Sequence, residues 1–575
     1  NGLNWLYIKE NGIGFLTGGG DGYVLIWDTK LNITNKINIR SKEISSMNYR
    51  IRSVCINEEG DILVGTRGGE IIELEDNKPK LCLRGHFDGE LWGLCAHPKK
   101  DIYYTVGEDK LLCVWDIKTK KLILKNTLEE KSKTIDCSPD CKELAIGCES
   151  GNFYIYDAIS LKLKFKIENK ESKDNAVQIV KYSPNGEFLA VAGRDANNKG
   201  TMHIFLYAPK KRYNLIKKLR GHTSRINHLD FSEDGEFIQS CSSSYELLYH
   251  SIENGKQITR ISSLSDTKWA TWTCIFGWPV QGIWPECSSG DDINSCDVDK
   301  KGKVIVTGDD FSKVKLFRFP SPVEKAAYYQ YNGHSSHVTC VRFMKDNKHV
   351  ISIGGNDKSI FQFKFILNEE EKKEEKEYDE IDENEEENLI DEENNDINFK
   401  EEEMQLGDEF GVSKPWLGEL KASSPEIDEK IINRSKNPPK ENIKRLNYVF
   451  GYRSFDTRMN IKYTKLKNNI VYTTAALGIV HNIETNKQKY FPYHHEDIVS
   501  LALHPNGYTV ATGQMAQKGA SKYLDLFIWN IKNIPESTNV NIELREKVPD
   551  NIYNLKGVLQ RAIRILKFND KGTRL

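Results

Sequence analysis

YYTVGEDKLLCVWD (103–116) decides the fold of this chain, and Gly85-His86 precedes it by a short interval. An apolar run ends in small residues, a Gly/Asp turn follows, and a second apolar and aromatic run closes on Trp-Asp. Period-2 alternation about a tight turn specifies two short antiparallel strands. Working outward, the same core returns every 40 to 50 residues: FLTGGGDGYVLIWD (15–28), ILVGTRGGEIIEL (62–74), ELAIGCESGNFYIYD (143–157) and FLAVAGRDANNKGTMHIFLY (188–207). FIQSCSSSYELLYHSI (237–252), VIVTGDDFSKVKLFRF (304–319) and VISIGGNDKSIFQFKF (350–365) bring the number to eight. Each core follows an alternating strand that ends in a turn such as HPKK, SPDC, SPNG or SEDG. A fixed period of this length marks a stacked repeat architecture.

The pattern resembles the WD40 family of β-propellers, with four strands per blade, and the expected fold class is all-β. The resemblance is sharpest where the family's internal hydrogen-bond tetrad can be matched. His86, Thr105, Asp109 and Trp115 stand at spacings that let the histidine reach the aspartate in the turn, with the threonine and the indole N–H completing a relay. Such a buried polar set is tolerated only when fully satisfied. Thr17, Asp21 and Trp27 repeat the offsets, and His334 to Asp357 repeats the 23-residue interval of His86 to Asp109. After Gly221-His222, Tyr245 stands where Asp is expected, so that blade is read as degenerate. These residues recur once per blade, which an active site would not do, and are read as structural rather than as a catalytic triad. The sequence contains no G-x-S-x-G elbow, Walker loop or H-E-x-x-H. Gly18 to Gly22 is an inter-strand turn rather than a phosphate cradle, and Cys137, Cys141 and Cys148 form no convincing zinc ligand set. No enzymatic activity, metal or cofactor is expected.

At 575 residues the chain exceeds a typical domain of ~100–200 residues several-fold, and it has no apolar run near the ~20 residues of a membrane span. The twelve cysteines lie between Cys55 and Cys340 without paired spacing, which favours reduced thiols. No signal peptide is legible at the N-terminus. The C-terminal RAIRILKFNDKGTRL (561–575) reads as a strand, a turn and the opening of another strand, so the sequence is expected to be a piece of a longer polypeptide. Net charge is −2, yet 369–409 holds 22 acidic and 4 basic residues, leaving about +16 on the remainder. The acidic segment is too polar to bury a core and is expected to be a disordered linker. The basic remainder suits an acidic protein partner through long-range steering; no nucleic acid or membrane partner is expected. Beyond the linker, Trp416 in KPWLG is expected to pin an extended segment on a neighbouring surface.

The interval between the cores at 237–252 and 304–319 is expanded, and it holds WATWTCIFGWPVQGIWP (269–285), with four of the ten tryptophans. Trp269 and Trp272 read as strand core. Trp278 and Trp284 read as a rigid loop, each held extended by the proline after it. Two roles stay open for them: packing across the blade, or, with Trp416, a partner-binding surface.

Blade-like sequence resumes after the linker. FGYRSFDTRMN (450–460), VYTTAALGIV (471–480) and VATGQ (510–514) resemble the hydrophobic (HELP) motif and first blades of echinoderm microtubule-associated protein-like (EMAP-like) proteins. The motif residues are Phe450, Gly451, Tyr452, Arg453, Phe455, Asp456 and Arg458. ELWGLCAHP (90–98), YELLY (245–249), the tryptophan stretch, GDDFSKVKLF (308–317) and GHSSHVTCVRF (333–343) resemble the second half of that family's tandem atypical double propeller. The resemblance implies a junction between tandem units of a long, multi-unit member. The last blades of one propeller would fill 1–84, and a second, atypical propeller 85–367. The linker and an extended segment would follow at 368–445, then the hydrophobic motif and first blades of the next unit at 446–575. It also implies a non-catalytic scaffold that binds microtubules or tubulin, alongside other microtubule-associated proteins, in the cytoplasmic cytoskeleton or the ciliary axoneme. The alternative is a general WD40 adaptor, of signalling or ubiquitin-ligase type, without direct tubulin binding.

Overall fold

The computed structural model describes residues 3–8, 14–41, 44–168, 176–194, 201–264, 266–284, 292–366, 429–440, 442–516, 525–534, 552–555 and 562–575. The acidic segment and Trp416 lie outside the described residues. Within them the chain forms ten antiparallel sheets, nine of four strands and one of three. We number these blades in chain order: 1 (3–38), 2 (51–84), 3 (91–127), 4 (132–167), 5 (180–222), 6 (226–251, three strands), 7 (293–331), 8 (338–366 with 442–450), 9 (461–491) and 10 (498–555).

The amphipathic character of each strand follows its place in the blade. The central strands Ile102–Gly107 and Leu111–Asp116 of blade 3 are buried almost throughout, because neighbouring blades cover both faces. The outer strand Lys121–Thr127 is largely exposed, with Ile123 open to solvent. Blades 3 to 8 form a ring, closed where the Leu91 N–H donates to the Gly355 carbonyl at 3.2 Å and Thr339 Oγ1 donates to the Leu91 carbonyl at 2.7 Å. Blades 1, 2, 9 and 10 stand side by side in that spatial order: 1, 2, 9, 10. Cys55 and Leu63 of blade 2 share one apolar core with Ile461 and Ile470 of blade 9. Tyr463 donates to Glu73 at 2.9 Å, and the Ile498 N–H reaches the Ala475 carbonyl at 3.1 Å. Blades that the sequence reading places in separate units, at 1–84 and 446–575, are thus neighbours.

The boundary expected at 445/446 runs through a strand. Asn442–Phe450 is the outer strand of blade 8, antiparallel to Ile360–Ile366 from Ile360↔Phe450 to Ile366↔Asn442. The reason is a phase difference between repeat and blade. Where a Gly-His turn introduces a blade, the outer strand of the blade before it leads directly into that turn. Lys78–Arg84 precedes Gly85-His86, and Tyr328–Tyr331 precedes Gly333-His334. Asn442–Phe450 likewise precedes Gly451-Tyr452, and Gly221, Gly333 and Gly451 share φ values of 140°, 137° and 133° that favour glycine. The hydrophobic motif therefore opens with the strand that finishes the blade before it.

The tryptophan stretch occupies the interval between blades 6 and 7. Trp269 bridges Ser232, and the Ala270 N–H donates to the Phe231 carbonyl at 2.9 Å, so the segment lies along the inner strand of blade 6. Trp269 and Trp272 are half-buried there, outside any regular strand. Trp278–Ile283 forms a 3₁₀ turn, in place of the extended loop expected from its proline; the proline sits in the first turn, where a missing N–H is harmless. Trp284 corrects the surface reading. It is 5% exposed, stacks on Phe276 at 5.4 Å, and donates its indole N–H to the Ile275 carbonyl at 2.9 Å. Trp278 is half-buried beside the same apolar cluster. Trp284→Ala should therefore cost about 3–5 kcal/mol and lower the thermal unfolding temperature. Trp278→Ala should cost clearly less, and equal losses in the two variants would contradict this packing.

Candidate functional site

The tetrad residues come together in blade 3. His86 Nδ1 lies 2.7 Å from Asp109 Oδ2 and Nε2 lies 2.8 Å from Thr105 Oγ1, which also accepts the Trp115 indole N–H at 2.8 Å. In blade 1 the Trp27 indole donates to Thr17 at 2.9 Å, while Asp21 accepts the Tyr23 N–H at 3.3 Å. His334 lies 3.0 Å from Asp357 and 2.7 Å from Ser352, and Phe361 stacks on its ring at 4.0 Å. The blade after Gly221-His222 is not missing its acid. Glu246, one residue beyond Tyr245, lies 2.9 Å from His222, and Ser240 lies 2.8 Å away on the other ring nitrogen. The longer glutamate side chain compensates for the shifted position.

A further set was not legible. His494 meets Gln514 at 3.0 Å and Thr512 at 2.7 Å, and the Trp529 indole donates to Thr512 at 3.1 Å. Seventeen residues separate Thr512 from Trp529, against ten from Thr105 to Trp115, and this insertion hides the pattern.

The hydrophobic-motif residues form the junction between the ring and the other blades. Phe450 is buried with its ring 4.4 Å from that of the tetrad Trp115 and 4.7 Å from that of Tyr448. A Cβ on Gly85 would stand 2.6 Å from the Gly451 Cα, so the two backbones touch where blades 2, 3, 8 and 9 meet. Tyr452 lies against Gly65 of blade 2 and donates to Asn460 at 2.7 Å. Arg453, 5% exposed, pairs with Asp456 at 2.7 Å and with Asp497 at the start of blade 10. Burial raises the Asp497 pKa, and Arg453 counters this. Phe455 receives Lys358 over its ring at 3.5 Å and the Arg453 guanidinium at 4.7 Å, while its carbonyl accepts Arg52 at 2.9 Å. Arg458 is exposed.

Inside the ring, the fifth residues of successive inner strands line a central cavity of about 1620 Å³; Cys95, Asp136, Asp297 and Arg342 are among them. The aspartates clasp the next element. Asp136 accepts the Tyr182 N–H at 2.7 Å, and Asp297 accepts the Phe343 N–H at 2.7 Å. Asp230, at the same position of blade 6, accepts the Thr273 and Cys274 N–H groups at 2.8 and 2.9 Å and so anchors the tryptophan stretch. Burial pushes the Asp297 carboxyl up to about 6, against the pull of Arg342. Among the described residues, no group of three or more His, Cys, Asp or Glu side chains is arranged to hold a metal, and eleven cysteines are free.

Repeated blades with histidine-centred tetrads, two adjoining sets of blades and a structured hydrophobic motif define a WD40-type tandem-propeller protein. Residues 91–365 match the family model described as the echinoderm microtubule-associated protein second β-propeller, and residues 438–479 match the HELP motif. The chain belongs to the echinoderm microtubule-associated protein-like family. It is 37% identical over 363 residues to echinoderm microtubule-associated protein-like 4 of Homo sapiens, covering 62% of this chain and 35% of that protein. It is 33% identical to echinoderm microtubule-associated protein-like 3 of Homo sapiens over 63% of this chain and 39% of that protein. With the 77 kDa echinoderm microtubule-associated protein of Lytechinus variegatus it shares 34% identity, over 61% of this chain and 51% of that protein. The matched part thus spans roughly a third to a half of these relatives' length.

The blade 3 tetrad carries a pH signature. Burial would lower the His86 pKa, but the Asp109 carboxylate overcomes this and lifts it to about 10. A histidine raised above its unfolded value of ~6.5 contributes stability that is complete below pH ~6.5 and is lost as pH rises through about 10. In blade 8, burial favours the neutral Asp357 carboxyl, yet His334 holds it down at about 2, so its contribution is present above pH ~3.8 and is lost as pH falls through about 2. Asp109→Ala should cost about 3–5 kcal/mol near neutrality, because it breaks a buried, hydrogen-bonded pair and leaves His86, whose charge burial disfavours, to give up its proton and its partner in the folded state. It should also flatten the alkaline fall in thermal stability between pH ~7 and ~10. An unchanged alkaline profile in the variant would contradict this assignment.

Proposed function

We propose that this chain is a non-catalytic scaffold that binds microtubules or tubulin through its propeller surfaces and contributes to microtubule organisation in the cytoplasmic cytoskeleton. The match of 91–365 to the second propeller of a family named for microtubule association carries the reading. The geometry supports it in two respects. The polar sets that resemble catalytic groups are turned inward and consumed as tetrads, and blade edges and turns make up the accessible surface. The positive balance outside the acidic segment suits a partner with a negatively charged surface. Binding by several blade faces at once would gain through effective concentration. An axonemal site and further microtubule-associated partners belong to the same proposal.

Co-sedimentation with microtubules tests it. The chain should pellet with microtubules at low salt and be released at high salt, and removal of the acidic tubulin tails should reduce pelleting. Failure to pellet at low salt would remove direct binding and leave a WD40 adaptor that acts on other proteins.

A further inference from the structure

Four arginines converge where blade 2 meets the hydrophobic motif. Arg50 and Arg52 open the inner strand of blade 2, and Arg67 follows its second strand. The Arg67 N–H donates to the Arg50 carbonyl at 2.7 Å, which sets the two residues side by side. Arg458 comes from the motif loop, and Arg52 ties that loop to the blade through the Phe455 carbonyl at 2.9 Å. Burial, and then the positive charges of Arg458, Arg67 and Arg50, make the Arg52 guanidinium easier to deprotonate than usual, as expected where like charges are packed together.

The cluster holds no ion pair of its own, although Asp456 partly offsets the positive charge at Arg52. None of the four arginines forms an ion pair among the described residues, and the buried Nε of Arg52 has no hydrogen-bond partner. The nearby acid, Asp456, is engaged by Arg453 at 2.7 Å. Arg50 and Arg458 are exposed, while Arg52 and Arg67 are half-buried, so the donors form a shelf open to solvent. Forked guanidinium donors match carboxylates in pairs, and the spread of the cluster over two elements suits several carboxylates along a chain better than one small anion.

We infer that Arg50, Arg52, Arg67 and Arg458 form a binding site for a glutamate- or aspartate-rich peptide segment of a partner protein. This deepens the microtubule reading and rests on it only for the identity of the partner.

The test is fluorescence anisotropy of a labelled ten-residue polyglutamate peptide with the whole chain. The parent protein should bind at about 0.02 M salt and weaken markedly at about 0.3 M, where the screening length is shorter. Combined Arg50→Gln, Arg67→Gln and Arg458→Gln should weaken binding about tenfold or more. The corresponding triple lysine variant should retain most of it, because the charge is kept. Arg52 is left intact because it supports the motif loop. A triple glutamine variant with parental unfolding temperature and parental affinity would overturn the site. Binding that appears only after deletion of 369–409 would assign the shelf to the chain's own acidic segment and overturn the partner proposal. Peptide binding without microtubule pelleting would sustain the site and remove the microtubule identification. Pelleting without arginine-dependent peptide binding would do the reverse.

Discussion

One strand is committed to both sets of blades. The backbone of Asn442–Phe450 is hydrogen-bonded to Ile360–Ile366 in the ring, while Tyr448, the Val449 peptide groups and the turn at Gly451 are also held by the other blades. Gln488 of blade 9 grips it from outside the sheet, accepting the Val449 N–H at 2.9 Å and donating to the Val449 carbonyl at 3.0 Å. Tyr448 donates to Asn486 at 2.7 Å, and Asn486 in turn donates to the Thr119 carbonyl of blade 3 at 3.2 Å. Blade 8 cannot be completed without fixing where blade 9 begins. The 75 residues between the two strands raise the cost of closing this loop by about 2 kcal/mol over a ten-residue link. Burial of Ile443, Leu446, Tyr448, Val449 and Phe450 outweighs this, at roughly 1.5–3 kcal/mol per large apolar side chain.

The same strand ties the polar network to the apolar core. Phe450 lies on Trp115, whose indole N–H is the last link of the His86 relay. A displacement of the motif would therefore loosen a buried tetrad whose members have no access to replacement water, and such networks lose stability steeply once partly broken. Backbone contact at Gly85 and Gly451 leaves no room for slack at this point. The junction is thus a rigid platform, and the arginine shelf is built on its rim.

Much of this was legible in the sequence because it is local. The blade cores follow from alternation and turn chemistry, and the His86 to Trp115 set follows from spacing along two adjacent strands. Features that depend on chain phase or on distant partners were not. The repeat boundary and the blade boundary differ by one strand, so the motif read as the start of a unit although its first strand finishes the blade before it. Glu246 stands one place from the expected acid, and the turn of the His494 set is longer, so neither follows from the spacing of the His86 set. Asp136, Asp230 and Asp297 look like ordinary polar positions of half-buried strands until the ring brings each beside the next element. Arg52 and Arg458 are some 400 residues apart and meet only through the fold. In the tryptophan stretch, composition alone does not distinguish a buried Trp284 from an exposed one.

The shared strand is tested most directly by native-state hydrogen exchange resolved along the whole chain. The amides of Asn442–Phe450 and Ile360–Ile366 should exchange together, in the slow class that opens only with the blade core. Rapid exchange at 442–450 alongside full protection of the other three strands of blade 8 would show that the strand is dispensable to the ring and would contradict the account.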